Sequence, residues 1–307
     1  MAITYHDLFL DTQKTLQAAG SPGARMEAFE ILCAASGKSR EELVRDMSLF
    51  TGDDVGERVA DMLARYGTGE PLAYILGEWS FCGLSFAVDP HALIPRVDTE
   101  MLAQLAIARL RETEGHTRIL DLCAGTGCIG LTAASFVKTT RAVLVDLDDG
   151  ALDLCKRNIR RHRLTGRAVY LKGDAMQPPS HALGLFDVLV CNPPYIPTGD
   201  LAGLDPSVRD FEPMAALDGG ADGLDFYRVI TSLWAEAIRP GGHLLYEVGI
   251  GQAEKVAWML VKAGYENIRI TRDTGGIDRV VEGQRPKTRE DLLEELETLH
   301  EGEQEEH

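Results

Sequence analysis

From Thr117 onward the chain alternates between two hydrophobic periods, and this restricts the possible fold more than any other feature. Short apolar runs at Thr117–Leu122, Ala142–Val145, Ala168–Leu171, Asp187–Cys191 and His243–Val248 predict strands. Between them, Ile129–Phe136, Asp149–His162, Leu224–Ile238 and Gln252–Ala263 carry apolar residues at helical spacing. Strands and helices in turn build a mostly parallel, doubly wound α/β sheet with helices on both faces. Such sheets bind ligands beyond the carboxyl ends of their strands, where strand order switches. Two last strands, near Ile268–Arg272 and Arg279–Glu282, are joined by a short link that suits antiparallel pairing at an edge.

Residues 1–74 show no strand pattern and read as a small helical bundle. Leu8, Leu10, Leu16 and Ala19 fall at roughly helical spacing before the Gly20-Ser21-Pro22 break. A second helix, Ala24–Ser36, stops at Gly37, and Ser39 with Glu42 forms a capping-box signature for a third. A fourth opens at Asp53 or Asp54 and ends near Gly67. Residues 75–97 change period: Trp79, Phe81, Leu84, Phe86 and Val88 nearly alternate around Cys82-Gly83, which predicts a β-hairpin linker. Asp98 and Thr99 offer N-caps for a helix reaching about Arg111, within a main domain spanning 98–284. Residues 285–307 are an acidic tail whose Leu292, Leu293, Leu296 and Leu299 stripe fits either an isolated amphipathic helix or disorder.

Charge narrows the partners. The 307 residues include 48 acidic and 31 basic side chains, a net charge of −17. Nucleic-acid binding rests on basic groups that displace counterions from phosphates, so direct nucleic-acid contact is not expected and a protein partner fits better. The basic stretch Lys156–Arg163 reads as the solvated face of a helix. Cys33, Cys82, Cys123, Cys128, Cys155 and Cys191 form no CxxC pair, no disulfide framework and no metal-ligand spacing, so no metal is expected. The N-terminus has neither the basic nor the apolar region of a signal peptide, and no apolar run reaches membrane length. A cytoplasmic protein without membrane contact, working as a monomer, is expected.

Two motifs carry chemistry. Asp121-Leu122-Cys123-Ala124-Gly125-Thr126-Gly127 spans a strand end and the turn into a helix. Its glycines let the backbone turn tightly and come close to a ligand, and the helix N-terminus behind favours a carboxylate or phosphate. Asp146 ends the next strand, where a carboxylate accepts from ribose hydroxyls; Asp174, after the third strand, sits where the adenine edge would lie. An adenosine-bearing cofactor follows, and because Gly130 completes G-x-G-x-x-G this loop alone leaves a dinucleotide open.

The second motif decides. Asn192-Pro193-Pro194-Tyr195 follows the apolar strand Phe186–Cys191. Two prolines fix φ and remove two donors, leaving a stiff loop rich in acceptors. The Asn192 side-chain oxygen and the Pro193 carbonyl can accept both hydrogens of one NH2 group, while Tyr195 offers a flat face to a planar amide or base. Holding both hydrogens aims the nitrogen lone pair at a sulfonium methyl and stabilises the positive charge that develops, with no strong base required.

Asn-Pro-Pro-Tyr in this place resembles the mark of amino-methyltransferases acting on adenine, guanine or glutamine nitrogens. Glu70–Gly77, Leu93–Glu100, Phe211-Glu212-Pro213, Ala216–Gly220 with Asp222-Gly223-Leu224, and Gly276–Val280 further resemble the HemK/PrmC release-factor glutamine methyltransferases, over residues 1–284. The resemblance implies a seven-stranded, Rossmann-like class I methyltransferase sheet behind the helical bundle. It implies S-adenosylmethionine as cofactor, held by Cys123, Ala124, Gly125, Thr126, Gly127, Asp146, Asp174, Ala175 and Asn192. It also implies, as substrate, the glutamine of the Gly-Gly-Gln motif in class I peptide chain release factors, bound by Asn192, Pro193, Pro194 and Tyr195. Asn192, Pro193 and Tyr195 would be the catalytic residues. Three positions depart: Cys123 replaces the loop's first glycine, Val97 a proline, and Ala175 a frequent aromatic. Trp79–Gly83 and Gly127-Cys128-Ile129 are similar to a sister family that methylates a glutamine of a large-subunit ribosomal protein; a nucleic-acid amino-methyltransferase is a more distant alternative.

Overall fold

The computed structural model describes residues 3–288; the leucine stripe at Leu292–Leu299 lies outside the described residues. In chain order the elements begin with α1 (Tyr5–Ala18), α2 (Ala24–Ser36), α3 (Arg40–Arg45), α4 (Asp53–Gly67) and α5 (Leu72–Leu76). Next come β1 (Glu78–Phe81), β2 (Leu84–Ala87), α6 (Glu100–Glu112), β3 (Thr117–Leu122), α7 (Cys128–Phe136), β4 (Thr140–Asp146) and α8 (Asp149–Arg161). They end with β5 (Ala168–Lys172), β6 (Phe186–Cys191), α9 (Pro206–Arg209), α10 (Asp225–Leu233), β7 (Ile238–Glu247), α11 (Ala253–Lys262), β8 (Glu266–Arg272) and β9 (Asp278–Gln284). They divide into two compact units. One runs through Trp79 and includes Val88–Pro90 and Asp205–Phe211; the other takes Ser80–Ala87, His91–Leu204 and the chain from Glu212.

The first unit is helical around its own core, where Leu8, Phe9 and Leu16 of α1 meet Ala28, Ile31 and Leu32 of α2 and Val55 and Val59 of α4. The predicted punctuation holds: Gly37 closes α2 at φ 68°, and Ser39 and Glu42 form a full capping box on α3. The inward stripe of α1 differs. Leu10 is exposed and Ala19 lies past the helix end, while Tyr5, Leu8, Phe9, Thr12 and Leu16 follow the three-and-four spacing of one helical face.

The second unit contains a seven-stranded sheet in the order β5-β4-β3-β6-β7-β9-β8. β5, β4, β3, β6 and β7 run parallel, and β9 enters antiparallel between β7 and β8. Strand order reverses between β3 and β6, so the crevice for a ligand lies beyond their carboxyl ends. Every residue of β6 is buried, as a parallel strand covered on both faces should be, whereas the edge strands β5 and β8 are largely exposed. Two apolar layers cover the sheet: one gathers Leu102, Leu110 and Leu131 against Ile119 and Val188, the other Tyr227, Trp234 and Leu260 against Leu189 and Tyr246.

Two local expectations change. The helix expected over Leu224–Ile238 stops at Leu233, and the chain is back in the sheet at Ile238. Trp234 turns inward and its indole N–H donates to the Ala175 carbonyl at 2.9 Å, while Pro240 disfavours helix just before it. Thr99 precedes α6 but makes no cap bond to it, because its own backbone is already helical (φ −66°, ψ −20°) and its hydroxyl faces Asn192 instead.

One buried side chain ties the hairpin to the sheet. Asn158 of α8, within the basic stretch but facing inward, accepts from the Ala87 N–H at 2.7 Å and donates to the Ala87 and Thr126 carbonyls at 3.1 and 2.9 Å. Asn158→Ala leaves three buried backbone groups unpaired and is expected to lower unfolding stability by about 3 kcal/mol, measured by urea titration.

Candidate active site

At the end of β3 the chain must reverse direction within five residues. It does so through three left-handed conformations, at Cys123 (φ 57°), Gly125 (φ 53°) and Gly127 (φ 76°). Cys123 therefore adopts the backbone geometry that a glycine takes without strain, at the cost borne by any residue with a Cβ. Gly127 and Gly130 are required for a second reason: a Cβ on either would come within 2.8 and 2.7 Å of the Leu144 side chain, so α7 packs directly on β4.

Asp146 closes β4 beside this loop. Its Oδ2 accepts from the Gly125 N–H at 2.8 Å and its Oδ1 from the Asp148 N–H at 3.0 Å, which leaves each oxygen a further lone pair. Burial pushes its pKa upward against those two bonds. Asp121 is buried completely one turn behind; Gly130 N–H donates to its Oδ2 at 2.8 Å, and desolvation pushes its pKa up to about 8.

Beyond the strand ends opens a cavity of about 580 Å³. Cys123, Ala124, Gly125, Thr126, Asp146, Asp174, Ala175, Asn192 and Pro194 all line it, brought together from four loops. Gly127, Pro193 and Tyr195 do not: Gly127 lies against Leu144, Pro193 is buried, and the Tyr195 ring packs partly on the core layer of Tyr227 and Tyr246. Burial and the nearby Glu247 push the Tyr195 phenol up to about 12, so it stays protonated. The cavity's size, its glycine cradle, the spare acceptors of Asp146 and the small Ala175 wall fit an adenosine cofactor. Val97, one of the three departures, is 77% exposed and takes no part in the lining.

The Asn192–Tyr195 loop is held from outside. Ile196 N–H donates to the Leu217 carbonyl at 3.0 Å and Gly219 N–H to the Ile196 carbonyl at 2.9 Å, binding the loop to the segment 216–224. Gln252 donates to the Tyr195 and Gly223 carbonyls at 2.8 and 3.2 Å and accepts from Gly249 N–H at 3.0 Å. A Cβ on Gly219 would stand 2.7 Å from Tyr195 Cα, and one on Gly223 2.3 Å from the Tyr195 carbonyl oxygen.

Several residues here escape a sequence reading. Gln252 read as a helix start, Glu247 as part of an apolar strand, and His91–Arg96 as a connector. Yet Gln252 clamps the loop, Glu247 faces Asn192 and Thr99, and His91–Arg96 form a cavity wall, fixed by Glu212 through Ile94 N–H at 3.3 Å and a short ion pair to Arg96. The usable signal is an acid or amide inside an apolar run, as at Glu247 and Glu212.

Two family models match the chain, the PrmC N-terminal domain over residues 7–77 and the methyltransferase small domain over residues 97–202. A release factor glutamine methyltransferase of Geobacter sulfurreducens is 41% identical over 273 residues, which are 89% of this chain and 94% of that protein. A release factor glutamine methyltransferase of Moorella thermoacetica is 37% identical, covering 87% of this chain and 93% of its own. Among solved structures, the hMettl16 catalytic domain in complex with MAT2A 3'UTR hairpin 6 superposes with a TM-score of 0.54 at 16% identity, over 73% of this chain and 81% of that one, a likeness of fold alone.

Gly223→Ala tests the backbone clamp. The added Cβ meets a carbonyl oxygen that cannot rotate away, at φ 73°. Stability should fall by at least about 1 kcal/mol, and methyl transfer by more than that loss accounts for, in paired urea-unfolding and single-turnover measurements.

Proposed function

Because this chain belongs to the release factor glutamine methyltransferase family, an S-adenosylmethionine-dependent family, we propose that it methylates the side-chain amide nitrogen, N5, of the glutamine in the Gly-Gly-Gln motif of class I peptide chain release factors. The observation that carries the reading is Asn192 at the cavity wall, on a loop whose backbone is fixed by Gly219, Gly223 and Gln252.

An amide nitrogen is a poor nucleophile because its lone pair is delocalised into the carbonyl. On this reading Asn192 Oδ1 and the Pro193 carbonyl accept the two amide hydrogens, orient the lone pair and stabilise positive charge on nitrogen. Tyr195, whose ring packs partly on the core and does not line the cavity, steadies the loop from behind rather than touching the amide. Cys123–Thr126, Asp146, Asp174 and Ala175 hold the cofactor, which when bound supplies an electrophilic sulfonium methyl, while Gly127 shapes the turn behind them. Asp146 accepts from ribose hydroxyls with the lone pairs that Gly125 and Asp148 leave free. Residues 1–74 recognise the folded release factor, 75–97 join them to the 98–284 catalytic domain, and 285–307 take no part in the chemistry. The enzyme works in the cytoplasm as a monomer without touching nucleic acid, a reading supported by its net charge of −17; no described helix is long and apolar enough to cross a membrane.

Asp146→Ala should weaken S-adenosylmethionine binding by about 1–3 kcal/mol in calorimetry, through unpaired hydroxyls. Asn192→Ala should slow single-turnover transfer on the order of 100-fold or more. Tandem mass spectrometry of the release factor should locate the wild-type product's methyl on the Gly-Gly-Gln glutamine; a methyl elsewhere would overturn the assignment.

A further inference from the structure

Glu247 ends β7 beside Asn192. Tyr246 of β7 pairs in parallel with Cys191 of β6, so Glu247 and Asn192 are the next residues on neighbouring strands and project from the same face of the sheet. Glu247 is only 2% exposed, and its Oε2 has no hydrogen-bond partner among the described residues. A buried carboxylate with an unused oxygen is a structural cost that packing alone does not explain. Its neighbours are informative: the Thr99 hydroxyl and the Asn192 amide lie close to it and favour its ionised form, and Asn192 Nδ2 donates to Thr99 Oγ1 at 3.4 Å.

Asn192 has two N–H bonds and one oxygen, and the chemistry proposed above needs the oxygen. If the ring of acceptors were absent, the amide could turn over and present its NH2 to the substrate's NH2, donor against donor. A Thr99 hydroxyl that spends its proton on Glu247 shows Asn192 only lone pairs. We propose that Glu247 is a positioning residue for the methyl-accepting amide: directly and through Thr99, its carboxylate engages the Asn192 NH2 group and fixes Asn192 Oδ1 towards the substrate. This rests on the role given to Asn192 above. Glu247 does not line the cavity and therefore acts through Asn192.

The function requires the ionised carboxylate, since a protonated one becomes a donor and competes for Thr99 or for Asn192 Oδ1. Burial pushes Glu247 up to about 7, opposed by hydrogen bonds from Thr99 and Asn192 and by Arg279 on β9, and reinforced by Asp98 ahead of α6. Tyr195, Tyr227 of α10 and Cys128 of α7 also face it, and all three are themselves held neutral at physiological pH by burial. Arg279 is shared with Asp98 and Asp273 at 3.3 and 3.2 Å, so its charge is only partly available to Glu247. The active fraction thus rises as pH rises through neutrality.

The test compares wild type, Glu247→Gln, Asn192→Ala and the double variant on an intact release factor. Glu247→Gln should lower kcat by about tenfold or more with the release-factor KM little changed, and should remove the limb of the kcat profile near neutral pH. Added to Asn192→Ala it should cost little more, because both act through one contact. In nitrogen-15 spectra without cofactor or substrate, the Asn192 side-chain NH2 signals should titrate with a midpoint near neutrality in wild type and not in Glu247→Gln. Wild-type kcat and an unchanged pH profile in Glu247→Gln, or additive losses in the double variant, would overturn the proposal. Failure of the wild type to methylate the glutamine would instead overturn the proposed function.

Discussion

Two consecutive prolines remove two of the four backbone N–H groups in residues 192–195, so much of what fixes this loop comes from other segments. The chain supplies the turn at 217–219, which bonds to Ile196 at the loop's end, and Gln252 at the start of α11, which donates to the Tyr195 carbonyl and is itself steadied by the Gly223 carbonyl. Each comes close enough only because glycine stands at 219, 223 and 249. The sheet brings these segments together, since β6 and β7 are neighbours and both point their carboxyl ends at the cavity. Rigidity at this loop matters because positioning, rather than acid or base strength, has to carry methylation of an amide.

Acidic side chains outnumber basic ones around the cavity: Asp146, Asp148, Asp174 and Asp218 line it, against Arg96, which is ion-paired with Glu212. Desolvation raises the pKa of Asp146 and of Asp121 and Glu247, which lie buried close behind. The ionised carboxylates of the lining suit a cationic sulfonium better than a dinucleotide's pyrophosphate. The same acidity extends over the whole chain, whose net charge is −17.

The sheet was legible in the sequence because its inner strands are buried on both faces and read as unbroken apolar runs, as Phe186–Cys191 does. The first half of β7 was not, since Arg239-Pro240-Gly241-Gly242 reads as a turn and lies in the register shift between the Ile238 and His243 pairs with β6, with Gly241 and Gly242 bonding to Arg285. The glycine loop, Asp146 and Asn192 stood out as local motifs. Thr99, Glu247 and Gln252 did not, because their roles depend on partners 29 to 148 residues away that only the folded sheet makes neighbours. Cys123 lies between these cases: the sequence marks it as a departure, and only its φ of 57° shows that the departure leaves the turn itself intact.

The most direct test is a crystal structure of the protein with a non-reactive S-adenosylmethionine analogue and a Gly-Gly-Gln peptide. The glutamine NH2 is expected within hydrogen-bonding distance of Asn192 Oδ1 and the Pro193 carbonyl, with its nitrogen facing the position of the transferable methyl. A glutamine side chain seated elsewhere, or an Asn192 that turns its NH2 towards the peptide, would contradict the role assigned to this loop.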